Sequence, residues 1–265
     1  LDGSDEAVKA EDVAALSAVA LEESEDAYTV SGEGFNVVVD KATGAMTSYV
    51  YQDKELLDAP LEPNFVRPLN ENDRASDMFN FSEAWAEAEK GRTVEAITTE
   101  KLVDGMARIN VTGTLGNGVP YAIGYVVYGN GDVTVENQLM PNDTFDLIPL
   151  IGTTMKVPAN LNNVTYFGRG PQENYLDRNT GAFKGIYETT ADDLYVPYET
   201  PGETGTRTGV TWVALTDDAG DGVMVSAAKD FEFSALHYTD KELNETRHSY
   251  ELQKDESITF KVNHI

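Results

Sequence analysis

The strongest constraint in this sequence is a two-residue turn between two long alternating runs. Asp104-Gly105 separates residues 94–103 from residues 106–115, and both runs are rich in β-branched and aliphatic side chains. An Asp-Gly pair tolerates the positive φ that primed hairpin turns require, so this spacing predicts a β-hairpin. A second unit follows, in which residues 121–128 and 133–139 flank Gly129-Asn130-Gly131-Asp132. There Val133, Val135, Asn137 and Leu139 alternate with Thr134, Glu136 and Gln138. Strand side chains alternate between faces, so the pattern predicts an antiparallel sheet with one wet face.

Similar punctuation runs along much of the chain. Phe35-Asn36-Val37-Val38-Val39 lies between Gly34 and Asp40, Thr43-Gly44 supplies a turn, and residues 46–51 follow with rough alternation. Residues 147–157 predict a strand pair around Pro149, and residues 210–215 and 223–227 flank an acidic loop over 216–222. Phe231-Glu232-Phe233-Ser234 and residues 258–262 close the series. One short helix is predicted over 83–90, with Ser82 as N-cap, Gly91 as its stop and Trp85 facing inward. No βαβ alternation, dinucleotide fingerprint or internal repeat is visible. The expected class is therefore all-β, a large antiparallel sandwich or barrel. Residues 1–28 differ: they hold nine acidic residues and one lysine, with no aromatic before Tyr28. Residues 11–21 offer at most a weak helix, and the composition reads as a linker or arm.

Charge and composition remove several function classes. A formal net charge of −27 repels phosphate backbones, which argues against nucleic acid and anionic membranes but suits a neutral ligand such as a sugar. With no cysteine, disulfides, thiolate catalysis and thiolate metal sites are excluded. The three histidines, His237, His248 and His264, lack a metal-ligand spacing. No apolar run reaches the roughly 18 residues of a membrane-spanning helix. The absence of cysteine suits the cytosol, slightly preferred, and the cell surface alike.

Five segments carry a resemblance. Tyr166-Phe167-Gly168-Arg169-Gly170-Pro171-Gln172-Glu173-Asn174-Tyr175-Leu176-Asp177-Arg178 resembles the Gly-x-Gly-Pro-x-Glu-Asn-Tyr-x-Asp-Arg signature of family 2 β-galactosidases, in their C-terminal small-chain domain. Tyr195-Val196-Pro197-Tyr198 and Pro201-Gly202-Glu203-Thr204-Gly205-Thr206-Arg207 are similar to two further motifs of that domain. So are Pro63-Asn64-Phe65-Val66-Arg67-Pro68-Leu69-Asn70-Glu71-Asn72-Asp73 upstream and Ser234-Ala235-Leu236-His237-Tyr238 downstream. The pieces keep the family's order. Gly202 and Thr204 depart from the usual Gln and Asn, and Asn70 and Glu71 alter an Asp-Asn-Asp segment.

The resemblance implies a β-supersandwich of the galactose mutarotase kind over residues 21–265, with residues 1–20 as a linker from a preceding immunoglobulin-like domain. It also implies a parent that hydrolyses terminal β-galactosides with retention. In that family the two glutamates come from a (β/α)8 barrel of about 250 residues, which is absent from this sequence. Mg²⁺ and Na⁺ or K⁺ would sit near the barrel, with no ligand from this chain. The chain ends at Ile265, where the family continues into a Gly-rich loop whose Trp reaches the galactose site. The partners implied are the parent's other domains, galactosides and further subunits of a homo-oligomer.

Within the motifs, Glu173 is the most conspicuous acid. It reads as a sugar-hydroxyl acceptor or, more simply, as the partner of Arg169, Arg178 or Arg207 in a network that ties the loop to the sheet. Asn174, Asp177 and Glu203 are further polar candidates. Tyr175 and Tyr198, with Tyr195 and Tyr238, suit sugar stacking or an interface with a neighbouring domain. His237 and His248 are candidates for the His–Glu acid–base pair of a mutarotase. Besides a non-catalytic β-galactosidase domain, an autonomous carbohydrate-binding module and a sugar epimerase therefore remain open.

Overall fold

A computed structural model describes residues 15–140 and 147–264. Strand pairing is antiparallel throughout. β1 (Ala20–Glu23), β2 (Ala27–Gly32), β3 (Phe35–Asp40) and β4 (Met46–Tyr51) form successive hairpins. β5 (Lys54–Glu55) folds back on β4, and β6 (Ala59–Asn64) meets β4 at Leu61 and Met46. Two helices follow, α1 (Glu71–Arg74) and α2 (Met78–Lys90). Then β7 (Thr93–Val103), β8 (Met106–Thr114), β9 (Pro120–Tyr128) and β10 (Val133–Leu139) make a separate four-stranded meander.

The rest of the chain returns to the first sheet. Its elements are β11 (Gly152–Pro158), β12 (Asn163–Gly170), β13 (Phe183–Thr190), α3 (Ala191–Leu194), β14 (Arg207–Thr216), β15 (Gly222–Leu236), α4 (Asp240–Glu245) and β16 (Ser257–His264). The completed sheet runs β1-β2-β3-β4-β6-β11-β16-β15-β14-β12-β13, with β5 beside β4. Two sheets packed on one core confirm the expected all-β class.

The core lies between the sheets. Val37 and Val39 of β3, Ile109 and Val111 of β8, Ile123 and Tyr125 of β9, and Phe233 and Phe260 of the large sheet belong to one buried cluster. Burying each such side chain is worth roughly 1.5–3 kcal/mol. Two strand tyrosines reach loops of the opposite sheet: Tyr125 of β9 donates to Gly44 O at 3.1 Å and Tyr49 of β4 to Gly131 O at 2.8 Å. Gly44 has φ +68, and a Cβ there would lie 2.5 Å from Val111 Cγ1, so both backbone and packing demand glycine.

The large sheet is polar on its other face near the centre. Ile258 and Phe260 of β16 enter the core, while the intervening Thr259, Lys261 and Asn263 project to the opposite side. These three are nevertheless buried.

Some expectations need correction. The helix begins four residues ahead of Ser82, with Asp77 in the N-cap position; it ends at Gly91, and Trp85 is fully buried as expected. Residues 147–157 give one strand, β11, that starts after Pro149, instead of a strand pair. Among the described residues, three short α-helices join the one expected. α1 and α4 carry capping boxes, Asn70 with Asp73 and Thr239 with Glu242. The weak helix expected over 11–21 lies partly outside the described residues; within them, Val19 is buried and donates to Asp104 O at 2.8 Å, and β1 starts at Ala20.

Candidate functional site

The long motif spans β12 and the loop that follows it. Inward-facing Gly168 and Gly170 let other groups approach: a Cβ on Gly170 would sit 2.2 Å from Tyr166 Oη. The chain then leaves the sheet at Pro171 and places Glu173 and Asn174 against residues 204–208.

Glu173 is 7% exposed. Its Oε1 accepts from Arg178 Nη2 at 2.6 Å and from the Tyr198 hydroxyl. Its Oε2 accepts from Gly205 N at 2.9 Å, with the Tyr175 and Thr204 hydroxyls at 3.4 and 3.5 Å. Burial pushes the carboxyl up, but the donors from Tyr198, Gly205 and Arg178 together outweigh it and hold the group below its ordinary range. Of the three arginines considered as its partner, Arg178 fills the role. That guanidinium also lies 4.8 Å from the Tyr175 ring centroid. Its own pKa is raised, first by the bond to Glu173.

The neighbouring groups are equally committed. Asn174 donates from Nδ2 to Arg169 O and Gln172 O, and its Oδ1 accepts from the Thr208 amide and hydroxyl. Buried Arg207 donates from Nε to Pro171 O at 3.0 Å and Tyr166 Oη at 3.2 Å, and from Nη1 to Gly205 O at 3.0 Å. Arg169 turns away to donate to Ala182 O. Burial, then the charges of Glu203 and Glu173, raise the Tyr175 phenol. Tyr198 is 40% exposed, and Leu176, Asp177 and Arg178 also lie at the surface. The structure therefore gathers Glu173, Asn174, Tyr175, Arg178, Tyr198 and Arg207 into one loop network.

Among the described residues, neither His237 nor His248 makes a hydrogen bond to this network. His237 is 3% exposed, and its ring meets Asp255 O at 3.3 Å, Asn162 Oδ1 at 3.5 Å and Asp192 at 3.9 Å. No glutamate pairs with this imidazole among the described residues. His248 stacks on Tyr250 with ring centroids 5.3 Å apart. Tyr195 and Tyr238 pack together at 4.8 Å. No cluster of three or more histidine or carboxylate side chains suited to a metal ion occurs among the described residues. No described helix is long and apolar enough to cross a membrane.

Glu203 belongs to a second cluster that sequence reasoning missed. Its Oε1 accepts from Thr206 Oγ1 at 2.8 Å, and burial raises its pKa to about 7 against the pull of Lys261 and Arg67. Lys261 is 4% exposed and pairs with Asp240 at 2.7 Å. Burial opposes its charge, but Asp240 and Glu203 together outweigh that effect and raise its pKa. Arg67 pairs with Asp73 at 2.7 Å, and Glu232, itself pushed up by burial, accepts from Asn263 Nδ2 at 3.3 Å. Lys261, between Phe260 and Val262 in β16, was the one available signal.

Comparison with known proteins adds a family. A family model described as beta galactosidase small chain matches residues 31–265. A beta-galactosidase of Priestia megaterium is 33% identical over 252 residues, covering 95% of this chain and 24% of that protein. One of Halalkalibacterium halodurans is 30% identical over 231 residues, 84% of this chain and 22% of its own length. Beta-galactosidase BgaC of Bifidobacterium adolescentis is 33% identical over 235 residues, 85% and 22% respectively. The chain thus spans about a quarter of the length of the curated relatives it matches.

Proposed function

Since the chain belongs to the beta-galactosidase small-chain family, we propose that it is a non-catalytic component of a larger β-galactosidase that acts on terminal β-galactosides. Its work is to support the wall of the sugar site and the packing of neighbouring domains or subunits. One observation carries the non-catalytic assignment: Glu173, the central acid of the motif, is buried and engaged by protein donors on both oxygens. Retaining glycoside hydrolysis needs a nucleophilic carboxylate and a second carboxyl that holds a proton, about 5–5.5 Å apart. A carboxyl held below its ordinary pKa is a poor proton donor, and one that is buried with protein donors on both oxygens offers a sugar no open approach. The greater length of the relatives supports placing the reacting acids, and the Mg²⁺ and monovalent cation, in other parts of the parent.

The test is direct. The purified chain should release nitrophenol from p-nitrophenyl β-D-galactoside at the buffer rate, and an enzyme-like rate that survives repurification overturns the assignment. Within the longer parent, Arg178→Ala or Tyr198→Phe should change KM or subunit assembly. If KM, kcat and assembly all stay at the parent's values, the supporting role is wrong.

A further inference from the structure

We propose that β13, the last strand in the order of the large sheet, pairs antiparallel with β13 of a second copy of this chain, about a two-fold axis through Ile186. Only residues of this chain are involved, so the interface stands whether or not the chain serves a β-galactosidase.

The strand is open to a partner. Among the described residues β13 pairs with β12 alone, so its other edge is a row of unpaired backbone donors and acceptors. Its register is unbroken from Asn163 opposite Thr190 to Gly170 opposite Phe183. Side chains leave that edge uncovered: Ile186 is 66% exposed and Phe183 77%. The other sheet ends suit pairing less. β1 and β10 carry acids and no cation. β7 meets β8 with two register shifts, and irregularities of that kind bend and twist a strand.

The sequence of β13 selects a second copy as the occupant. With Ile186 on the axis, Lys184 of each copy lies opposite Glu188 of the other. An axis at Gly185 sets Lys184 against Ile186, and one at Tyr187 sets Ile186 against Glu188. An axis at Lys184 or Glu188 opposes like charges, which destabilises a strand pair. Within one chain Glu188 faces uncharged Thr165, and Lys184 faces Arg169. Each charge therefore gains an opposite neighbour in the dimer. Lys184 also reaches Asp230 at 2.8 Å. The charge of Arg169 acts on Asp230 as well, so this aspartate keeps a cation near it when the flexible lysine is shared.

An apolar row crosses the same axis. Ile186 lies opposite Phe167, and Phe167 opposite Trp212, on the face turned away from the core. Directly opposed residues share a face, so the axis joins this row to its counterpart and makes one strip over six strands. Covering exposed Ile186 supplies a driving force. The net charge of −27 on each copy opposes association, and salt screens that repulsion.

Sedimentation velocity of the 265-residue chain in about 0.3 M NaCl tests the interface. Dimer is expected at roughly 10–100 µM, as suits a small interface. Ile186→Lys, which opposes two cations on the axis, should weaken dimerisation at least about tenfold. Glu188→Lys should weaken it about tenfold, and adding Lys184→Glu should restore it. The chain has no cysteine, which permits a second measurement independent of these charges. Opposed Cα atoms in an antiparallel pair stand about 4.5–5.5 Å apart, within disulfide reach. Ile186→Cys should therefore oxidise to a covalent dimer. Thr189→Cys should not, since its two copies would be about 20 Å apart. A chain that stays monomeric at about 100 µM, with β13 covered instead by another part of a longer parent, overturns the proposal. So does dimerisation unchanged in Ile186→Lys, a charge exchange that fails to restore it, or equal crosslinking of the two cysteine variants.

Discussion

Gly205 donates its backbone N–H to Glu173 Oε2 at 2.9 Å, across 32 residues of sequence. The bond joins the loop after β12 to the segment entering β14. Gly205 is itself constrained: it has φ +74, and a Cβ there would lie 2.8 Å from Leu194 O. The carboxylate thus serves as the acceptor around which two loops are fixed.

That role sets an order of mutational effects. Glu173→Ala should destabilise the chain by about 2–3 kcal/mol, since it leaves a buried N–H and hydroxyls without their acceptor. Arg178→Ala should cost less than about 1 kcal/mol, because its side chain is 52% exposed. Urea unfolding midpoints check the ranking, and the reverse order would mean that the ion pair, not the backbone bond, organises the loops.

Stability should fall as pH rises from weakly acid to neutral. Burial raises Glu89 and Glu203 from 4.5 to about 7. A carboxyl whose folded pKa exceeds its unfolded value favours folding below about 4.5, and that contribution is lost as pH rises through about 7. Glu89→Gln keeps an oxygen to accept from Phe65 N, the bond now seen at 2.8 Å. It should therefore shrink the loss between pH 5 and pH 8 in denaturation curves. Glu173, held low, acts in the opposite sense and withdraws its stabilisation as pH falls through its folded pKa. An unchanged slope in Glu89→Gln would contradict the first half of this account.

Gly91→Ala should be destabilising although Gly91 has an ordinary φ of −83. An added Cβ would stand 2.9 Å from Gly116 Cα, where Gly116 N donates to Ala88 O at 2.8 Å and docks α2 on the β8–β9 turn. Backbone cannot yield as a flexible side chain does, so a loss of roughly 1–3 kcal/mol is expected. A change in the emission of buried Trp85 should accompany it.

Arg207→Lys should cost more than Arg169→Lys. Arg207 is 4% exposed and spreads its bonds over Tyr166, Pro171 and Gly205, a fan that one ammonium cannot span. Arg169 makes one such bond, to Ala182 O. The expected gap is about 1–3 kcal/mol in unfolding free energy, and equal costs would show that planarity at Arg207 is dispensable.

The hairpin about Asp104-Gly105 was legible because turn chemistry and alternation agreed there, and β7 and β8 end and begin beside it. β12 was not: Gly168 and Gly170 resemble loop residues, and only the tight contact of Gly168 with Val210, where a Cβ would sit 2.6 Å from Cγ2, shows why a strand needs them. The start of α2 was misread because Ser82 is a good N-cap residue by type, whereas here it is buried within the helix. Within the loop network, the local pair of Glu173 and Arg178 was among those weighed. Tyr198 and Gly205 were invisible as its partners because they arrive from a distant segment. The strip around Lys261 escaped for a related reason, since alternation separates two faces but does not reveal whether loops will cover the polar one.

The placement of β16 between β11 and β15 carries a consequence for biosynthesis. It follows every other described strand in the chain, yet it occupies the middle of the large sheet. On the ribosome, residues 152–158 and 231–236 therefore wait with open hydrogen-bonding edges until residues 257–264 emerge. Unfilled edges of this kind invite pairing with other chains, so the interval before that strand is made is when the nascent polypeptide most needs a chaperone.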